Sequence, residues 1–371
     1  MRNAGKIRRE RSAAVLDRLT ARAYNIKRKK EIIKKQTRNR PPIPRGRHRV
    51  FRRKDRTMKN TLFAIGEALI DFIPAESGCD FSKVSAFSPK VGGAPANVLG
   101  AFSRLGGRTQ LLTKLGRDPF GDKILAELRG FGVGTDFVLQ TEEANTALAF
   151  VSLSQEGERT FSFYRNPSAD MLYTPQEVDA VDFSDCFALH FCSVSLGNFP
   201  MKEAHRRALE RAGQAGAMVS FDPNLRFPLW KDPKELKAAV SEFLPAADIV
   251  KVAEEELPFI TGTQDREEGC RRLLATASLV LCTCGPRGAY AYTRTASAAA
   301  PAPAVFVCDT TGAGDGFCGS FLFSLHRAGI GREELGSADA ETLRHFLALS
   351  NRFAAESVRH PGAIASYPSK L

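Results

Sequence analysis

From residue 61 onward the chain alternates short, mainly apolar runs with longer stretches whose apolar positions recur every three to four residues. Residues 62–65, 111–114, 188–193, 217–221, 249–252 and 279–283 are of the first kind and read as buried strands. Residues 120–131, 202–215, 233–244 and 267–275 are of the second kind and read as amphipathic helices. Strands taking turns with helices predict an α/β domain, its central, mostly parallel sheet flanked by helices on both faces. Residues 147–153 and 160–165, on either side of the turn Gln155-Glu156-Gly157-Glu158, instead alternate as a β-hairpin set apart from that sheet. Residues 296–304, rich in Pro and Ala, read as a surface loop.

Two glycine-rich turns interrupt this pattern and carry chemistry. In residues 309–321, Gly312-Ala313-Gly314 precede a segment in which Phe317, Phe321 and Leu325 recur every four residues. A small-residue turn opening a helix leaves backbone N–H groups unsatisfied and adds the positive end of the helix dipole, which suits an anion. Asp315 then stands where a carboxylate would repel that anion, a position that makes sense for a base taking a proton from an attacking hydroxyl. The second turn, Gly92-Gly93, precedes a helix started by Pro95, with Val98, Leu99, Phe102 and Leu105 on one face and Gly106-Gly107 at its end. Asn97 falls in its first turn. Residues 116–123 imitate a Walker A spacing, but Asp122 stands where the lysine belongs, and neither HRD nor DFG is present.

The net charge of +12 is unevenly spread. Residues 1–57 hold 22 Lys and Arg against 4 Asp and Glu, while the rest of the chain holds 31 against 37. The globular part is therefore mildly acidic, behind a basic extension that has few apolar residues and is expected to be disordered. The extension lacks the apolar core of a secretory signal. It reads either as an inert or wrongly started leader before Met58, or as a tether for nucleic acid or another acidic surface. The eight cysteines (79, 186, 192, 270, 282, 284, 308 and 318) show no CxxC spacing, which favours reduced thiols and a cytoplasmic location. No zinc-ligand pattern and no membrane-spanning apolar run is present.

The two glycine turns, together with residues 66–72 (GEALIDF), 163–170 (FYRNPSAD), 221–226 (FDPNLR) and 251–257 (KVAEEEL), resemble the paired signatures of the ribokinase-like (PfkB-type) carbohydrate kinases across most of residues 61–368. Within that family the set is most similar to the fructokinases. The resemblance implies a ribokinase-like fold in residues 58–371, with a small β-sheet lid from strands within about 66–91 and 147–165. It implies an ATP- and Mg²⁺-dependent sugar kinase making fructose 6-phosphate, with Asp315 as base and Gly312, Ala313 and Gly314 as anion hole. It places Asp71, Gly92, Gly93, Asn97 and Arg165 at the sugar, Thr283, Gly285, Gly288 and Asn351 at the nucleotide, Glu256 near Mg²⁺, and Asp309 with Thr311 at a K⁺ site. Ala253 replaces the asparagine of the family's Asn-x-x-Glu element, a departure that weakens the inference about metal. A homodimer through the lid is a further implication. The alternatives are another sugar kinase of the family, for 2-keto-3-deoxygluconate or ribose, and a non-catalytic regulator using the basic extension on nucleic acid.

Overall fold

The computed structural model describes residues 59–370, apart from 77, 79, 80 and 154–158. The basic extension, Cys79 and the hairpin turn at 155–158 lie outside the described residues. The strands are β1 (Thr61–Ile65), β2 (Leu69–Pro74), β3 (Phe87–Gly92), β4 (Arg108–Gly116), β5 (Val138–Thr141), β6 (Leu148–Leu153), β7 (Arg159–Tyr164), β8 (Cys186–Cys192), β9 (Met218–Asp222), β10 (Ile249–Ala253), β11 (Leu279–Thr283), β12 (Ala289–Tyr292) and β13 (Ser297–Ala300). The helices are α1 (Ala94–Arg104), α2 (Pro119–Gly130), α3 (Pro175–Asp179), α4 (Pro200–Gln214), α5 (Pro233–Phe243), α6 (Leu257–Thr261), α7 (Arg266–Leu273), α8 (Ala313–Ala328) and α9 (Ala340–Ser357).

Among the described residues, nine strands form the main sheet in the order β13-β12-β11-β10-β9-β8-β1-β4-β5. Its strands pair in parallel except at the β11-β12-β13 edge. The mainly apolar strands follow from burial on both faces. In β1, Leu62 and Ala64 pack with α1, α8 and α9, whereas Phe63 and Ile65 pack with α4, α5 and α7. The order turns back on itself beside β1, so the carboxyl ends of β1, β8, β9 and β10 open onto one crevice, where α/β sheets bind their ligands.

The hairpin expected at 147–165 is β6-β7, and it joins β2 and β3 in a separate sheet ordered β3-β2-β6-β7. One prediction is overturned. The loop expected at 296–304 begins with strand β13, antiparallel to β12 across the turn that Thr293 closes by accepting N–H bonds from Thr295 and Ala296. Alanine has little intrinsic preference for strand. Here Ala298 and Ala300 are buried as α9 covers the edge, and that packing overrides local propensity. Among the described residues, no helix is long and apolar enough to cross a membrane.

Candidate active site

Helix α8 begins at Gly312, whose φ of +72° is a left-handed conformation that favours glycine. A Cβ there would lie 2.6 Å from Ala363 Cβ and 2.7 Å from the Tyr367 hydroxyl. Tyr367 Oη donates to Gly312 O at 2.7 Å, which locks the turn from behind. Asp315 is then the third helical residue, in the first turn, where Ala313 N already donates to Thr310 O at 3.2 Å. Gly319, one turn on, has no side chain to keep α1 away: an added Cβ would lie 2.7 Å from Ala101 Cβ. This close helix contact lets Asn97 Nδ2 donate to Asp315 Oδ2 at 2.9 Å, while Asn97 Oδ1 is buried without a partner.

Asp315 is partly exposed yet closely surrounded by protein. Burial pushes its carboxyl above the usual aspartate range; the Asn97 bond pulls it back, Asp222 pushes it up again, and Lys251 and Arg226 pull it down. Asp222 ends β9 and pairs with the buried Lys251 of β10 at 2.9 Å. Beneath lies a buried row in which His190 Nδ1 and Ser220 Oγ are 3.0 Å apart, with Cys192 and Cys318 at its two ends. Burial lowers His190 to about 4, so at neutral pH this floor adds no positive charge.

On the small-sheet side, Asp71 is buried over Gly92, where an added Cβ would strike its carboxylate. Gly93, at φ +107°, precedes α1, and a Cβ added there would lie 2.5 Å from Glu67 O and 2.9 Å from Ala68 Cα. Arg165 is neither solvated nor turned loosely into the crevice. Its Nε and Nη2 bond Asp170 Oδ2, its Nη1 bonds Val194 O at 2.9 Å, and its Nη2 also reaches Ser195 Oγ at 3.0 Å. Ser195 in turn donates to Glu67 Oε2 at 2.9 Å, and Glu67 Oε1 accepts from Ala94 N at 3.1 Å. Burial raises the Glu67 carboxyl, opposed mainly by Arg165.

The remaining predicted residues separate into three places. Thr283 ends β11, and Gly285 opens the turn after it. Gly288 passes so close to Ala300 that a Cβ would strike its carbonyl, and Asn351 Nδ2 donates to that same oxygen at 2.8 Å. Gly288 and Asn351 therefore meet at one edge of the sheet. Glu256 is buried, its two oxygens accepting from Leu225 N at 2.7 Å and Ala253 N at 2.8 Å. Asp309 accepts from Thr311 N, Thr311 Oγ1 and Gly362 N, drawing the segment before the glycine turn onto the one before Tyr367.

Comparison with known proteins agrees with this arrangement. The family model described as pfkB family carbohydrate kinase matches residues 59–370. The chain belongs to the pfkB family of carbohydrate kinases. It is 41% identical over 313 residues to a protein of Arabidopsis thaliana named probable fructokinase-2, covering 84% of this chain and 94% of that one. The structure of a fructokinase with bound ATP from Xylella fastidiosa superposes with a TM-score of 0.77 at 36% identity, covering 84% of this chain and 96% of that one. A Vibrio cholerae fructokinase in fructose-, ADP- and calcium-bound form gives a TM-score of 0.73 at 32% identity, covering 84% and 96%.

Family members thus bind nucleotide and cations, and the pfkB arrangement in this chain can be tested for a metal. Among the described residues no group of three or more His, Cys, Asp or Glu is placed to hold one. Glu256, the residue expected beside Mg²⁺, already has both oxygens engaged by backbone amides. This geometry does not form a dedicated metal cage, which accords with Mg²⁺ being held largely through nucleotide phosphates and water. The sequence motifs contain Glu67, Asp170, Asp222 and Lys251 without showing what they do, and Ser195 and Tyr367 lie outside them. Charged residues inside otherwise apolar strand ends were the available signal for Asp222 and Lys251.

Proposed function

We propose that this carbohydrate kinase transfers the γ-phosphoryl group of ATP to the 6-hydroxyl of fructose, giving fructose 6-phosphate and ADP. The observation that carries the reading is Asp315 in the first turn of α8, oriented by Asn97 at the end of the helix where backbone N–H groups point outward. Asp315 takes the hydroxyl proton as the oxygen attacks phosphorus and the bond to the β-phosphate oxygen breaks. The amides of Gly312, Ala313 and Gly314 receive the charge spread over the transferred group. Mg²⁺ arriving with ATP would neutralise phosphate charge, and K⁺ bound near Asp309 would stiffen the turn.

Asp71, Gly92, Gly93 and Asn97 line the sugar side, and Thr283, Gly285, Gly288 and Asn351 the nucleotide side. Arg165 supports the sugar side from within the interior, and Glu256 ties the ends of β9 and β10 together rather than binding metal directly. Residues 58–371 form the catalytic domain, with β2, β3, β6 and β7 as a lid that excludes water. Phe72, Phe87, Phe150 and Tyr164 cluster on one face of that lid, with Tyr164 63% exposed, which supports a homodimer formed through it. Residues 1–57 are an extension, with contact to nucleic acid as its candidate role, and the location proposed is the cytoplasm. An ADP-coupled assay of the full chain across a sugar panel tests the reading. Fructose should give the highest kcat/KM, and a tenfold preference for ribose or 2-keto-3-deoxygluconate would replace it.

A further inference from the structure

Lys251 lies under the glycine turn, and nothing in the reaction as described uses it. Its side chain is 7% exposed, and its ammonium pairs at 2.9 Å with Asp222, which is 1% exposed. Seen from the turn, a Cβ added to Gly314 would lie only 3.2 Å from Lys251 Nζ. The ammonium therefore packs against the bare α-carbon of Gly314, within the glycine turn proposed to hold the transferred phosphoryl group. The surroundings are otherwise acidic: Asp222, Glu256 and Asp315 all bear on this lysine. Burial alone would favour the neutral amine, but those carboxylates more than reverse it and keep the side chain charged. Three carboxylates at a site for a polyphosphate would repel their own substrate, and Lys251 is the buried cation among them.

We infer that Lys251 is a further catalytic residue, its ammonium reaching through the gap at Gly314 to the γ-phosphoryl oxygens as negative charge moves onto them, with Asp222 as the anchor that aims it. The inference rests on the kinase reading above. A purely structural pair makes a different prediction, because replacing both members of a buried ion pair with neutral groups is often tolerated, whereas removing one strands the other.

The test compares K251M/D222N and D222N in the full chain, measuring kcat, both KM values and melting temperature with ATP and fructose. The double variant should melt close to wild type, keep its KM for fructose within a few-fold, and lose about 10²–10³-fold in kcat, the usual loss for one donor to a transition-state anion. D222N alone, which keeps the ammonium, should lose distinctly less. Recovery of more than a third of wild-type kcat in the double variant would overturn the inference, as would equal losses in the two variants. Wild-type protein inactive on fructose would instead count against the proposed substrate, and the same comparison would then be made with whichever sugar is turned over.

Discussion

Asn97 and Asp315 are 218 residues apart in sequence and 2.9 Å apart in space, joined by one amide-to-carboxylate hydrogen bond. The bond orients the proposed base, and it also influences its acidity. Asn97 is the largest influence holding the Asp315 carboxyl down against burial. A base works only when unprotonated, so activity should fall as pH drops through the Asp315 pKa. That acid limb should lie above the ordinary aspartate range. Asn97→Ala should move it further up, and a pH profile of kcat/KM that stays in place would show that the two residues are not coupled.

Asp315→Asn should lower kcat by about two to four decades, the range for loss of a general base. Stability should move the other way. A carboxyl whose pKa is raised on folding stabilises the fold below its unfolded pKa, and this contribution is lost as pH rises through the folded pKa. At neutral pH the charge is therefore a burden that asparagine removes. Melting at pH 7 should rise or hold steady while turnover collapses, and a folded variant with near wild-type turnover would remove Asp315 from the mechanism.

Arg165→Ala should act mainly on the fold. Arg165 and Asp170 are 4% and 1% exposed, and truncating the arginine strands the aspartate. The expected loss is about 3–5 kcal/mol, read by urea denaturation. Substituting both, as Arg165→Met with Asp170→Asn, should recover much of it. A lone Arg165→Ala that keeps its stability but raises KM for sugar would return the residue to direct substrate contact.

Tyr367→Phe removes the hydroxyl that fixes Gly312 O and should cost about 1 kcal/mol of stability. Gly312→Ala should cost more, because the left-handed backbone alone is about 1–2 kcal/mol dearer for alanine and the added methyl meets Ala363 and Tyr367. Both variants should lose turnover, with Gly312→Ala losing more. Full activity in Gly312→Ala would show that the turn's shape does not matter to the chemistry.

Deleting residues 1–57 should leave kinetics and melting temperature unchanged and abolish any binding to nucleic acid, since the remaining chain is net negative. Loss of sugar kinetics on deletion would show that the extension supports the domain.

The architecture was legible where burial is two-sided. Strands such as β8 and β11 are mainly apolar because helices cover both faces, and their positions in the sequence matched the structure to within two residues. Strand β13 was not legible, since Ala-rich pairing at a sheet edge depends on α9, which contacts it only after folding. The glycine turns were legible because they need backbone freedom that composition displays. The network Glu67–Ser195–Arg165–Asp170 was not, because a buried ion pair and an exposed strand-end arginine look alike until the partner segments are assembled. The two backbone amides that hold Glu256 were not legible either, because a carboxylate in the turn after a strand suits a metal and a pair of amides equally well.

Tyr367 also sets an order of events during synthesis. Its hydroxyl closes the glycine turn and its carbonyl accepts two bonds from the Arg104 guanidinium at the end of α1. A chain emerging amino end first can form most of its sheet early, as domains do during translation. The clasp between α1 and α8 must wait for Tyr367, so a chain that ends after α9 but before Tyr367 carries the proposed base, amides and sugar loop without the lock that aligns them. Such a chain would be folded in large part and catalytically silent.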